Sequence, residues 1–160
     1  INEAYDLLLQ DTVPSWLYEV KAGGTSIWER WDALRPDGTV NLGKDPGCGL
    51  VNAVGGGMVS FNHYANGAVG DWLYRRVAGL EAIEPGYKKF KVAPLVGGGL
   101  TSVSCFKKLS SGTIKINWNF KNGVFVLSIN VPFNTSAVIT LPDGKSLEVS
   151  SGKYVYSVEM

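Results

Sequence analysis

Apolar positions follow two different periods along this chain, and the change falls near Pro85. Before it they recur at three- and four-residue spacing, the pattern of a helix with one buried side. Ala4, Leu7 and Leu8 share a face of a first predicted helix, and Asp11-Thr12 followed by Pro14 reads as a stop and restart. Pro14 suits the first turn of a second helix through Ser15-Trp16-Leu17-Tyr18-Glu19-Val20, which Lys21-Ala22-Gly23-Gly24 ends. A third predicted helix starts at Thr25 or Ser26 and runs through Trp28-Glu29-Arg30-Trp31. From Leu34 to Gly57 no period is sustained, and a loop of that length in a compact domain is usually functional or mobile. Phe61, Tyr64, Ala65, Ala68, Val69, Trp72 and Leu73 form the unbroken stripe of a fourth helix, with Ser60 as its N-cap.

After Pro85 the period becomes two. Ile114, Ile116, Trp118 and Phe120 fall on one face of a strand, and Phe125, Leu127, Ile129 and Val131 on one face of the next. Asn122-Gly123 between them tolerates the positive φ of a type I′ turn, a hairpin signal. Pro142-Asp143-Gly144 marks another turn. Stretches 89–92, 101–106, 137–141, 146–149 and 154–158 bring the strands to about seven, enough for a small antiparallel β-sandwich in which Trp118 is core.

Composition narrows the classes. Fifteen basic against fourteen acidic residues leave a formal charge of +1, and the basic residues are scattered apart from short pairs, so no nucleic-acid partner is expected. No run of about 18 apolar residues is present to span a membrane. The first residues lack the basic-then-apolar order of a signal peptide, which leaves the compartment open. Cys48 and Cys105 read as two unpaired thiols. Five Trp, seven Tyr and six Phe fill cores in most proteins and stack on sugars in some.

Chemistry concentrates in two short segments. In Gly24-Thr25-Ser26-Ile27-Trp28-Glu29-Arg30-Trp31-Asp32 an acid stands among tryptophans before a long loop, which suits a carboxylate at a pocket mouth. Ser26-Ile27-Trp28-Glu29 equally fits a capping box, with Glu29 bonding back to the N-cap amide. His63, the only histidine, falls opposite the apolar stripe of the fourth helix, which suits a hydrogen bond to a substrate or to a neighbouring element. No Cys or His stands at ligand spacing from it, so neither metal nor cofactor is predicted. Asp37-Gly38 looks like turn chemistry, Asp71 like helix solvation, and Asp32 and Asp45 are further carboxylates. Gly55-Gly56-Gly57 and Gly97-Gly98-Gly99 lack the Lys-Ser/Thr of a phosphate loop.

Several stretches resemble the inverting α-L-rhamnosidases with an (α/α)6-barrel catalytic domain. They are Pro14-Ser15-Trp16, residues 25–32 around Trp-Glu-Arg-Trp, residues 60–75 around Asn-His-Tyr-Ala, Val77-Ala78-Gly79-Leu80, and Pro85-Gly86-Tyr87-Lys88-Lys89-Phe90. The resemblance implies an α+β multidomain fragment: the last barrel helices over residues 1–84, then a C-terminal antiparallel β-sandwich over 85–160. It implies a glycosidase that releases terminal α-L-rhamnose from glycosides or polysaccharides. Glu29 would be the general base, His63 would contact the rhamnose, and Trp28 and Trp31 would shape the pocket. The family's general acid lies in an earlier motif with no counterpart in these residues. Most of the helical domain is therefore expected upstream of Ile1, and the chain alone is expected to be inactive. The stretch from Arg35 to Gly57 is longer than the family commonly has, which leaves the aglycone side open.

Two other readings stand beside this one. The β-sandwich could be a non-catalytic carbohydrate-binding module using Trp118 or Tyr154, or a structural brace for the barrel. In the latter case, exposed barrel-facing surfaces favour self-association of the chain.

Overall fold

The computed structural model describes residues 1–43 and 57–160, so Asp45, Cys48 and Gly55-Gly56 lie outside the described residues. Two compact units result, Ile1–Val69 and Gly70–Met160.

In the first unit, α1 spans Asn2–Leu9 and α2 spans Trp16–Lys21. The α1 face expected from Ala4, Leu7 and Leu8 is not the buried one, because Tyr5 alone is fully buried there. Ser15 caps α2 by accepting the Tyr18 N–H at 3.0 Å, which puts Pro14 just outside the helix rather than in its first turn. Gly23, at φ 84°, supplies the left-handed residue that follows the helix end.

The third predicted helix does not form. Residues 25–32 are turns and irregular backbone, because their polar groups are engaged by distant parts of the chain. The fourth begins four residues late, as a 3₁₀ turn over Ala65–Ala68, followed by α3 over Val69–Trp72 and a π turn over Leu73–Val77. Ser60 is not its N-cap: its hydroxyl accepts the Asn62 N–H at 3.2 Å in a local turn. Phe61 and Tyr64 therefore fall outside the helix, and Tyr64 is 88% exposed. The Asp37-Gly38 turn forms as expected. Thr39 donates its N–H to Asp37 Oδ1 at 2.9 Å, and Leu34 bridges Val40.

The second unit is a two-sheet sandwich. One sheet has the order β1 (Leu80–Ala82), β2 (Lys89–Val92), β6 (Ser136–Thr140), β7 (Ser146–Val149). The other runs β3 (Ser102–Leu109), β4 (Gly112–Lys121), β5 (Val124–Val131), β8 (Gly152–Glu159). All seven expected strands are present. The additional strand β1 has only three residues, too few to display a period. The sandwich is not purely antiparallel, since β2 pairs parallel with β6. Chain leaving the first sheet after Val92 builds β3 to β5 in the second and returns in the same direction, which is the crossover a parallel pair needs.

Alternation decides the core. Ile114, Ile116 and Trp118 of β4 and Phe125, Leu127, Ile129 and Val131 of β5 are buried, opposite Phe90, Val92, Ala137 and Ile139 of the other sheet. Trp118 pairs with Leu127 in register, lies 5.8 Å from the Phe125 ring, and donates its indole N–H to the Val77 carbonyl at 2.9 Å. With 1% exposure it is core, not a glycan platform. Tyr154, half-buried, stacks on Tyr156 and donates its hydroxyl to the Ser150 carbonyl at 3.1 Å. Asn122 (φ 52°) and Gly123 (φ 77°) make the hairpin turn with two positive φ values, as expected from the sequence. Cys105 is a free thiol among the described residues, and burial pushes its pKa up. Gly79, at φ 82°, passes so close to the Ala93-Pro94 backbone that an added Cβ would lie 2.3 Å from Pro94 N.

Candidate active site

The Trp-Glu-Arg-Trp and Asn-His-Tyr-Ala segments meet in the first unit. Glu29 donates its backbone N–H to the Ser60 carbonyl at 2.9 Å, and His63 donates its own to the Ile27 carbonyl at 2.8 Å. Ser26 Oγ donates to the Phe61 carbonyl at 2.6 Å, and Asn66 Nδ2 reaches the carbonyls of Trp28 and Glu29 at 3.3 and 3.4 Å. These bonds consume the backbone groups that a helix through either segment would need, which is why neither expected helix forms there.

The Glu29 carboxylate also takes part. Its Oε2 accepts the Ser60 N–H at 2.7 Å, while Oε1 has no protein partner among the described residues. The capping-box reading is thereby overturned, since Ser26 and Glu29 both bond across to residues 60–61 rather than to each other's backbone. The result is an oriented carboxylate on a half-buried residue, with one oxygen unengaged among the described residues.

His63 sits before the helix, not on it. Its Nδ1 accepts the Ala65 N–H at 3.2 Å and its ring stacks on Tyr64 with centroids 5.1 Å apart. A ring nitrogen that accepts carries no hydrogen, so the neutral imidazole holds its proton on Nε2 and presents a donor. A cavity of about 580 Å³ is lined by Ser26, Ile27, Asn62, His63, Tyr64 and Gly67.

The tryptophans do separate jobs. Trp28, 4% exposed, is wedged edge-to-face between Tyr18 at 6.5 Å and Phe61 at 5.2 Å. Trp31 is half-buried and packs edge-on against Trp16 at 4.8 Å, while Trp16 donates its indole N–H to the Asn66 carbonyl at 3.0 Å. Arg30 donates to the Asn41 carbonyl, and Asn41 Nδ2 donates to Asp32 at 2.7 Å, tying Arg30 and Asp32 to Asn41. Asp32 is used by that bond and Asp71 by its ion pair with Arg75 at 3.3 Å.

One carboxylate that sequence reasoning missed belongs to the same neighbourhood. Glu19 is the only fully buried residue of α2, with 3% exposure, and its Oε2 accepts the Trp28 N–H at 3.2 Å. Its signal was an acid placed among Trp16, Tyr18 and Val20 in a short apolar helix. Gly24 completes the contact by donating its N–H to the Glu19 carbonyl at 2.8 Å. A Cβ at Gly24 would lie 2.8 Å from that oxygen and 3.2 Å from the Trp28 ring. Gly24→Ala is therefore expected to destabilise the first unit by about 1–3 kcal/mol, read as a lowered urea midpoint. An unchanged midpoint would show that the loop yields freely.

The structure joins the segments of Glu29 and His63 through backbone bonds, but Glu29 is not among the residues that line the cavity at His63. Residues 2–77 match the family model for the bacterial alpha-L-rhamnosidase 6 hairpin glycosidase domain, and residues 79–155 match that for the bacterial alpha-L-rhamnosidase C-terminal domain. The chain belongs to the bacterial α-L-rhamnosidase family. An alpha-L-rhamnosidase of Streptomyces avermitilis is 38% identical over 87% of this chain and 12% of its own length. One of Formosa agariphila is 35% identical over 96% of this chain and 15% of its own. Among solved structures, the native Aspergillus terreus α-L-rhamnosidase superposes with a TM-score of 0.85 at 38% identity, covering 98% of this chain and 17% of that one. The Streptomyces avermitilis enzyme complexed with L-rhamnose gives 0.82 at 34% identity, covering 99% and 16%. The chain thus spans less than a fifth of the relatives it matches.

Proposed function

We propose that the complete enzyme carrying this sequence is an inverting α-L-rhamnosidase that releases terminal α-L-rhamnose from glycosides or polysaccharides, with Glu29 as its general base. The observation that carries the reading is the Glu29 carboxylate itself, anchored through one oxygen by the Ser60 amide and unengaged at the other among the described residues, on a segment braced to that of His63. The likeness to a rhamnosidase complexed with L-rhamnose supports the substrate class.

Inversion needs an acid that protonates the leaving oxygen and a base, about 6.5–9.5 Å away, that takes a proton from the attacking water. In this reading the water sits at Glu29 Oε1. As it attacks the anomeric carbon from the face opposite the aglycone, its proton passes to that oxygen. The neutral His63 ring, with Nδ1 engaged, donates Nε2–H to a sugar hydroxyl. Trp31 forms part of the wall, and Trp28 acts from behind it by holding the loop in shape. In this reading the residues before the sandwich belong to the (α/α)6 barrel. No carboxylate of these 160 residues is assigned as the acid, so the chain alone is expected to show no turnover.

Proton NMR of p-nitrophenyl α-L-rhamnoside hydrolysis by the complete enzyme tests the proposal. β-L-rhamnose is expected to appear first and mutarotate to the equilibrium mixture; initial release of the α anomer would replace inversion by retention. Absence of hydrolysis across α-L-rhamnosides would remove the substrate class.

A further inference from the structure

Glu19 is used by none of the chemistry above, yet it occupies an unusual place. α2 buries a glutamate and leaves the adjacent Val20 66% exposed, the reverse of ordinary partitioning. Burial of a carboxyl is costly unless its oxygens are matched, and the bond it makes is specific. Oε2 accepts the Trp28 N–H at 3.2 Å, one residue before Glu29, while Oε1 is buried with no partner among the described residues. The backbone of the same residue is fastened to the same loop, through the Gly24 N–H at 2.8 Å on its carbonyl. Glu19 thus holds the loop from the α2 side, and Ser60 holds it from the other through the Glu29 N–H and carboxylate.

We propose that Glu19 is a positioning residue for the Trp28-Glu29 loop, fixing the Trp28 amide so that the Glu29 carboxylate keeps its aim. The role rests on Glu29 being the general base, and it is exerted through an accepted hydrogen bond rather than through charge. Burial pushes the Glu19 carboxyl above the ordinary glutamate range, while the bond from the Trp28 N–H pulls it the other way. A glutamine places an equivalent oxygen at the Trp28 amide, whereas a leucine of similar volume removes it.

The test compares Glu19→Gln, Glu19→Leu and Glu29→Gln in the complete enzyme, with the Trp28 amide proton followed by NMR in the 160-residue chain. Glu19→Gln is expected to keep kcat within about twofold. Glu19→Leu is expected to lower kcat by about 10²-fold with KM little changed, the signature of a reacting group displaced while sugar contacts persist. The Trp28 amide proton should move upfield in the leucine variant and hold in the glutamine variant. Equal losses in both Glu19 variants, or full kcat in folded Glu19→Leu, would overturn the proposal. In the unmodified chain the Trp28 amide should titrate together with the Glu19 carboxyl carbon, and independent titration would overturn it even if the leucine variant does not fold. Should Glu29→Gln retain turnover, the general-base reading fails by itself, and the amide resonance still reports whether Glu19 holds the loop.

Discussion

Glu29→Gln in the complete enzyme is expected to lower kcat on p-nitrophenyl α-L-rhamnoside by about 10²- to 10⁴-fold, the usual contribution of a positioned general base. The side-chain volume is conserved, and the amide oxygen can still accept the Ser60 N–H that Oε2 accepts at 2.7 Å. The backbone bond from the Glu29 N–H to Ser60 at 2.9 Å is untouched, so the brace between residues 26–29 and 60–66 should survive. What is lost is the ability of the carboxylate to take a proton from water. KM should therefore change little. Glu29→Ala should lose as much activity and some stability besides, because the Ser60 N–H would then lack its acceptor. Near-normal turnover by Glu29→Gln would sink the assignment.

Trp118→Ala is expected to destabilise the sandwich by about 3–5 kcal/mol, the range for deleting a large buried aromatic. Trp118 is 1% exposed and packs in register against Leu127 and beside Phe125, so the hole it leaves cannot be filled from solvent. Its indole N–H also serves the Val77 carbonyl at 2.9 Å, a buried bond whose loss adds the cost of an unmatched acceptor. Urea unfolding of the 160-residue chain, followed by far-ultraviolet circular dichroism, should show either a large fall in midpoint or no cooperative transition. Trp118→Phe should lie between, since it keeps most of the ring and loses the N–H. A shift below about 0.5 kcal/mol, the scale of an ordinary surface change, would mean that Trp118 is not the keystone its burial indicates.

The contrast between these two sites shows which features are legible in a sequence. A strand with one face in the core must alternate, so the spacing of Ile114, Ile116 and Trp118 is enough to identify their inward face, and Asn122-Gly123 is enough to identify the turn. Helical spacing proved weaker evidence. Residues 25–31 and 60–64 carry helix-compatible apolar spacing and plausible caps, yet both are irregular, because Ser26, Ile27 and Glu29 bond to Ser60, Phe61 and His63 instead of to their own neighbours. Spacing within a segment holds no information about a partner some thirty residues away.

The sequence by itself determined seven of the eight sandwich strands, the inward faces of β4 and β5, the hairpin at Asn122-Gly123, and the family, through the Trp-Glu-Arg-Trp and Asn-His-Tyr-Ala segments. Local chemistry suffices for those, since alternation and turn conformation are properties of adjacent residues. Tertiary structure alone decided three things: that Glu29 is clamped by Ser60 rather than capping a helix, that His63 offers Nε2–H because Ala65 engages Nδ1, and that a glutamate is the buried residue of α2. Each depends on which backbone amide reaches which acceptor across the fold, and only the folded chain sets that pairing.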